Sequence, residues 1–180
     1  MSSYNPKKNV LGISHINVVV DDIEKATEFY ARTLGFEPAF NDDGEMYYCD
    51  VNMPSFANNA GFVGQEVIVD VCFLQHKDSG LYLELMHYQS PQGNQEIEVK
   101  ATNDLGGPRH IALEVANIDE AYWFLKAQAD VSLINSSKDY GPPEELTPFP
   151  IKFFYWIDPW GVQWEMEQGR PMGTAVGICG

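Results

Sequence analysis

Two stretches of the chain, 95 residues apart, carry the same order of apolar and polar positions. In each, a histidine opens an apolar run, an Asp/Asn turn follows, and apolar residues then recur at helical spacing. His15 matches His110, Ile16 matches Ile111, Val20 matches Val115, Ile23 matches Ile118, Ala26 matches Ala121 and Phe29 matches Phe124. A fixed-offset match of this kind marks a duplicated unit.

In the first half the pattern predicts a strand over 12–20. Asp22 is placed to cap a helix over 23–34, which Gly35 ends. Strands are expected over 36–40 and 46–51, across the polar turn 41–45. Residues 54–64 break any regular pattern yet carry Phe56 and Phe62, after Met53. This loop is expected either to form a lid or a pocket wall, or to pack on the core or a subunit partner. A hairpin follows, with strands over 67–75 and 81–88 joined at 76–80. The second half repeats the order, with a strand over 109–115, a helix over 118–127 and a strand near 131–135. A Gly-Pro-Pro loop, a strand over 151–157, a turn at 158–161 and a strand over 162–168 complete it.

The expected layout is an N-terminal arm over 1–10, modules over 11–90 and 108–168, a linker over 91–107 and a tail over 169–180. The predicted class is α+β, with two repeated βαβββ modules forming a curved mixed sheet around a metal-binding cleft. An open half of this kind closes only against another.

The cleft is a matter of chemistry. The last strands of the halves match as well, placing Glu84 and Glu165 mid-strand among apolar neighbours, Glu165 between Trp164 and Met166. Side chains alternate along a strand, so Glu84 faces away from Leu83 and Leu85. Burying an unpaired carboxylate costs several kcal/mol or shifts its pKa, and a cation relieves both. Two histidines at strand starts and two glutamates in strand middles, at equivalent repeat positions, therefore point to one divalent metal. This nitrogen/oxygen set suits a six-coordinate Ni, Co, Mn, Fe or Zn ion with two open positions. The ligand candidates are His15, Glu84, His110 and Glu165.

Composition narrows the partners. With 26 acidic against 11 basic residues the formal charge is −15, which argues against nucleic acid and, more mildly, against anionic membranes and polyanionic ligands. The three cysteines form no close pair, no apolar run reaches membrane length, and residues 1–10 are not expected to act as a signal peptide. A cytoplasmic protein acting on a small molecule is expected.

The segments from Ser14 to Tyr30, Leu34 to Phe36, Leu81 to Leu85, Gly107 to Leu113 and Asp158 to Glu165 resemble the vicinal oxygen chelate superfamily. Its members include glyoxalase I, methylmalonyl-CoA epimerase, extradiol dioxygenases, fosfomycin-resistance enzymes and bleomycin-binding proteins. The resemblance spans about residues 11–168 and is nearest to the glyoxalase I and epimerase branch. It implies a metal at His15, Glu84, His110 and Glu165. It further implies a lyase or isomerase that stabilises the enolate of a small carbonyl substrate, with Glu165 as first candidate base and Glu84 as second, and a homodimer. Alternatives within the superfamily are an Fe(II) extradiol-type dioxygenase, against which Glu84 speaks, and a non-enzymatic drug-binding protein, against which the complete donor set speaks. The arginine with which glyoxalase I holds glutathione is replaced near Val19, and no asparagine follows the metal glutamate, since Met86, His87 and Tyr88 stand there. Glutathione is therefore not an expected substrate handle, and the formal charge of −15 argues against coenzyme A. His87, Tyr88, Tyr155 and Arg109 are secondary candidates for the site; His76 is expected at the surface, and Trp156, Trp160 and Trp164 in the core or rim.

Overall fold

Each copy of the repeat folds as its own unit in the computed structural model, which describes residues 5–40, 42 and 44–170. The first four residues of the arm and the tail beyond Arg170 lie outside the described residues. The chain divides into compact units at 1–95 and 96–180, within the stretch expected to link the halves.

The first unit opens with a helical turn, α1 (Pro6–Asn9), where a loose arm was expected. Proline at its first position needs no N–H partner, and the Asn5 side chain accepts from the Lys7 N–H. β1 (Ile16–Val19) is shorter than the predicted 12–20, because its parallel ladder with β5 (Leu81–Ser90) begins only at Ile16 opposite Leu83. Helix α2 (Ile23–Leu34) has the predicted bounds: Asp22 accepts from the Lys25 N–H, and Gly35, at φ 72°, takes the left-handed turn that ends it.

β2 (Glu37–Pro38) and β3 (Tyr47–Val51) both lie along β4 (Ile68–His76), on the edge that β5 does not use. β2 pairs at Leu74 and Gln75, β3 from Cys72 to Val69. Together they occupy the place of one strand, so the sheet order β1-β5-β4-β2 still reads β-α-β-β-β. The chain leaves the ladder after Ala39, whose N–H reaches the Phe73 carbonyl, and returns at Tyr47 opposite Cys72.

One sheet face is covered by α2. Ala26, Phe29, Tyr30 and Leu34 pack with Val18, Cys72, Leu74, Leu83 and Leu85, all buried. At ~25 cal/mol per Å² of apolar surface, each of the valine, leucine and phenylalanine side chains contributes roughly 1.5–3 kcal/mol. The opposite face carries Val69, Val71 and Met86. Here the stretch expected to be irregular contains a helix, α3 (Pro54–Asn59). Pro54 starts it rather than breaking it. Its Ala57 is buried with Val67, Val69 and Met86, and Phe56 and Phe62 pack against the same cluster.

The second unit repeats the plan with β6 (Ile111–Glu114), α4 (Ile118–Lys126), β7 (Ser132–Leu133), β8 (Lys152–Ile157) and β9 (Gln163–Gln168). The order is β6-β9-β8-β7, with β6 parallel to β9. Asn117 caps α4 by accepting from the Glu120 N–H. Ile118, Tyr122 and Leu125 are its buried stripe. Phe124 is 44% exposed whereas its match Phe29 is 2% exposed, because the narrower stripe of α4 leaves that position outside. Trp156 and Trp164 stack in the core at 6.1 Å. Asp158 is buried and fully engaged, accepting from the Trp160 and Val162 N–H groups and from the Trp164 indole.

Candidate metal centre

His15 stands one residue before β1, and Glu84 lies mid-β5. The parallel register sets Asn17 beside Glu84, which turns the histidine end of β1 toward the carboxylate. His15 Nε2 lies 3.3 Å from Glu84 Oε2. Its other ring nitrogen, Nδ1, lies 3.1 Å from Ser14 Oγ. The ring stands edge-on to Phe73, which is directly across from Glu84.

The second unit repeats this geometry. His110 precedes β6, and its Nε2 lies 2.9 Å from Glu165 Oε2. The imidazole packs at 5.1 Å on Tyr155, directly across from Glu165. The predicted residues thus come together two by two. Among the described residues no three His, Cys, Asp or Glu side chains stand close enough to hold a metal ion, so each unit offers its donors as a pair.

The pairs differ in support. Asn17 donates from Nδ2 to Glu84 Oε2 at 3.0 Å and to the Glu84 carbonyl at 3.3 Å. Ala112 holds the corresponding place beside Glu165, so that position offers the carboxylate no side-chain amide. Glu165 is instead buried, at 7% exposure. Burial, seconded by the charge of Glu167 and opposed by Arg170, lifts its pKa to about 7. Burial also raises the Tyr155 hydroxyl, with the charges of Glu165 and Glu167 adding to it. The equivalent carboxylates of the two copies thus differ in surroundings, Glu84 held by an amide and Glu165 buried with its pKa raised to about 7.

Asn17 escaped the sequence reading. The available signal was an amide in an otherwise apolar strand, two places after His15 and so on one face with Glu84. Val19, also on that face, is apolar and 53% exposed. Of the secondary candidates, Tyr155 touches its unit's pair. His87 turns to the other face and pairs with Asp70 at 3.3 Å, and Tyr88 packs on Phe62. Arg109 reaches back to the Gly106 carbonyl. His76 is more than bland surface: its Nδ1 accepts from the Ser79 N–H in the hairpin turn, and its ring packs on Phe36.

The donor set meets the requirements of a divalent cation. Imidazole nitrogens and carboxylate oxygens suit first-row metals, the Ser14 and Asn17 contacts orient the ligands from behind, and Glu165 is a buried carboxylate that a cation would stabilise. The model of the Glyoxalase/Bleomycin resistance protein/Dioxygenase superfamily matches residues 12–166. The chain belongs to this superfamily. Members of the superfamily act on small molecules, typically with a divalent metal. A 2-epi-5-epi-valiolone epimerase from Actinomyces sp. is 27% identical over 165 residues, covering 87% of this chain and 78% of that protein. The superfamily fold is further seen in a glyoxalase family protein from Bacillus cereus, with TM-score 0.66, 16% identity and coverage of 95% and 99%. A glyoxalase/dioxygenase from Nostoc punctiforme has TM-score 0.54, 19% identity and the same coverage. No helix among the described residues is long and apolar enough to cross a membrane.

Proposed function

We propose that this chain is a metal-dependent isomerase of the epimerase type, with one divalent ion held by His15, Glu84, His110 and Glu165. The observation that carries the reading is the repetition of one histidine–glutamate contact in both units, at 3.3 Å and 2.9 Å. The ion would supply Lewis acidity at a substrate carbonyl as a neighbouring carbon loses its proton. Nickel, cobalt, manganese, iron and zinc all suit these donors.

The proton work belongs to the chain. Glu165 takes the proton from the carbon beside the carbonyl and, as the conjugate acid, returns it. Return to the opposite face of the carbon inverts the centre. Glu84, kept in place by Asn17, is the second group for that exchange. Such chemistry favours isomerase over lyase, since no bond other than carbon–hydrogen is broken, and it accords with the epimerase relative. The four donors have to meet, either within one chain or across a homodimer.

The test is hydrogen exchange. In deuterated water, protein reconstituted with each metal should wash the hydrogen from the carbon beside the carbonyl of 2-epi-5-epi-valiolone, followed by proton NMR. His15→Ala and His110→Ala should abolish the exchange and weaken metal binding. Exchange that persists after exhaustive chelation, or metal affinity unchanged in both variants, would sink the proposal.

A further inference from the structure

Where the chain leaves β4 between β2 and β3, a cavity of about 390 Å³ opens beside His15. It is built within the first unit, on the sheet face that carries Glu84, since Phe73 lines it and is register-paired with Glu84. Phe40, Phe73, Tyr48 and Tyr82 give it four aromatic rings. Its polar groups are the hydroxyls of Tyr48, Tyr82 and Ser14, the imidazole of His15 and the carboxylate of Glu45.

No lysine or arginine occurs among the described residues that line it. The surroundings reinforce this, for residues 1–95 contain 5 Lys and Arg against 13 Asp and Glu. Apart from a metal held at His15, a phosphate, sulfate or carboxylate in the cavity would find no lysine or arginine there and would face Glu45. Hydroxyl groups suit it better, because tyrosine, serine and glutamate oxygens accept their protons. The faces of the rings carry partial negative charge and accept the C–H edge of a saturated ring. At ~30 Å³ per water the cavity holds the equivalent of roughly a dozen waters, which is the scale of one small ring with its substituents.

We propose that the substrate is an uncharged, polyhydroxylated ring ketone, seated on these aromatics with its hydroxyls on Glu45 and the tyrosines. The reaction assigned to it rests on the reading above; the binding preference does not, and the experiment keeps them apart. The probes are scyllo-inosose, a neutral polyhydroxylated cyclohexanone, and a monophosphate of it. Both are titrated into the metal-free full chain by calorimetry, so that no bound cation attracts the phosphate.

The neutral probe should bind at least tenfold more tightly, the penalty of about one like-charge contact near a protein surface. Glu45→Lys, at an exposed position, should erase or reverse that preference, and Tyr82→Ala should weaken the neutral probe about tenfold. Near-UV circular dichroism checks that each variant is folded. Equal or tighter binding of the phosphate overturns the inference, as does failure of the neutral probe to bind at millimolar concentration. So does neutral-probe affinity that Tyr82→Ala and Tyr48→Ala both leave unchanged. Hydrogen exchange that occurs with anionic ketones alone would sink this inference and leave the metal reading standing.

Discussion

Binding a divalent metal would force Glu165 to give up a proton that its surroundings encourage it to keep. The carboxyl is buried and titrates at about 7, against 4.5 for the free side chain. A metal takes the ionised form, so each pH unit below 7 costs about 1.4 kcal/mol, a factor of ten in apparent affinity from this residue alone. Above pH 7 its contribution flattens. The metal-free protein carries the mirror image of this effect. A carboxyl whose pKa is raised by folding holds its proton more tightly when folded. Its stabilising contribution is full below pH 4.5 and is lost as pH rises through 7. The loss is at most about 3 kcal/mol, from the 2.5-unit difference between the two values.

Calorimetry of metal binding in buffers of contrasting ionisation enthalpy counts the protons released. Melting of the metal-free protein between pH 5 and 8 reads the second effect. Glu165→Gln should remove its share of the proton release between pH 6 and 7 and flatten its part of the stability curve. Wild type and variant with the same slopes in both experiments would refute the assignment of Glu165 as the proton-exchanging carboxyl.

Asn17→Ala removes the amide that holds Glu84 and should weaken metal binding by roughly 10–100-fold, measured by competition with a chelating dye, while Asn17→Gln should recover part of the loss. If the donors meet across two copies, inactive His15→Ala and His110→Ala proteins should regain up to about a quarter of the wild-type sites when unfolded together and refolded as a mixture; a site within one chain predicts no regain. Leu85→Ala, at a fully buried position facing α2, should cost about 2–5 kcal/mol in urea melts. Gly169→Ala, where an added Cβ would lie 2.1 Å from the Pro150 carbonyl oxygen and φ is +94°, should lower the melting temperature of the second unit by several degrees.

Much of this architecture is written in local pattern. Asp22 and Gly35 bound α2 because a cap and a left-handed turn are decided by single residues, and the histidine and glutamate positions follow from the repeat. What the pattern could not convey depends on neighbours distant in sequence. Pro54 reads as a breaker until Ala57 is seen buried on Val67, Val69 and Met86. Phe124 reads as the equal of Phe29, yet burial is settled by the width of the helix face that each sheet accepts. The unlike footing of Glu84 and Glu165 was equally hidden. It turns on whether Asn17 or Ala112 sits alongside, and strand register decides that.

The shared edge of β4 has a consequence for how such a protein changes over time. Because β2 and β3 fasten to β4 on either side of the excursion between them, the intervening residues can be lengthened, shortened or rewritten while the ladder before and after stays in register. His15 and Glu84 are fixed by β1 and β5, on the other side of β4, and do not depend on what the excursion contains. On the function proposed above, selection could rewrite residues that contact the substrate while leaving the metal-binding pair of this unit untouched.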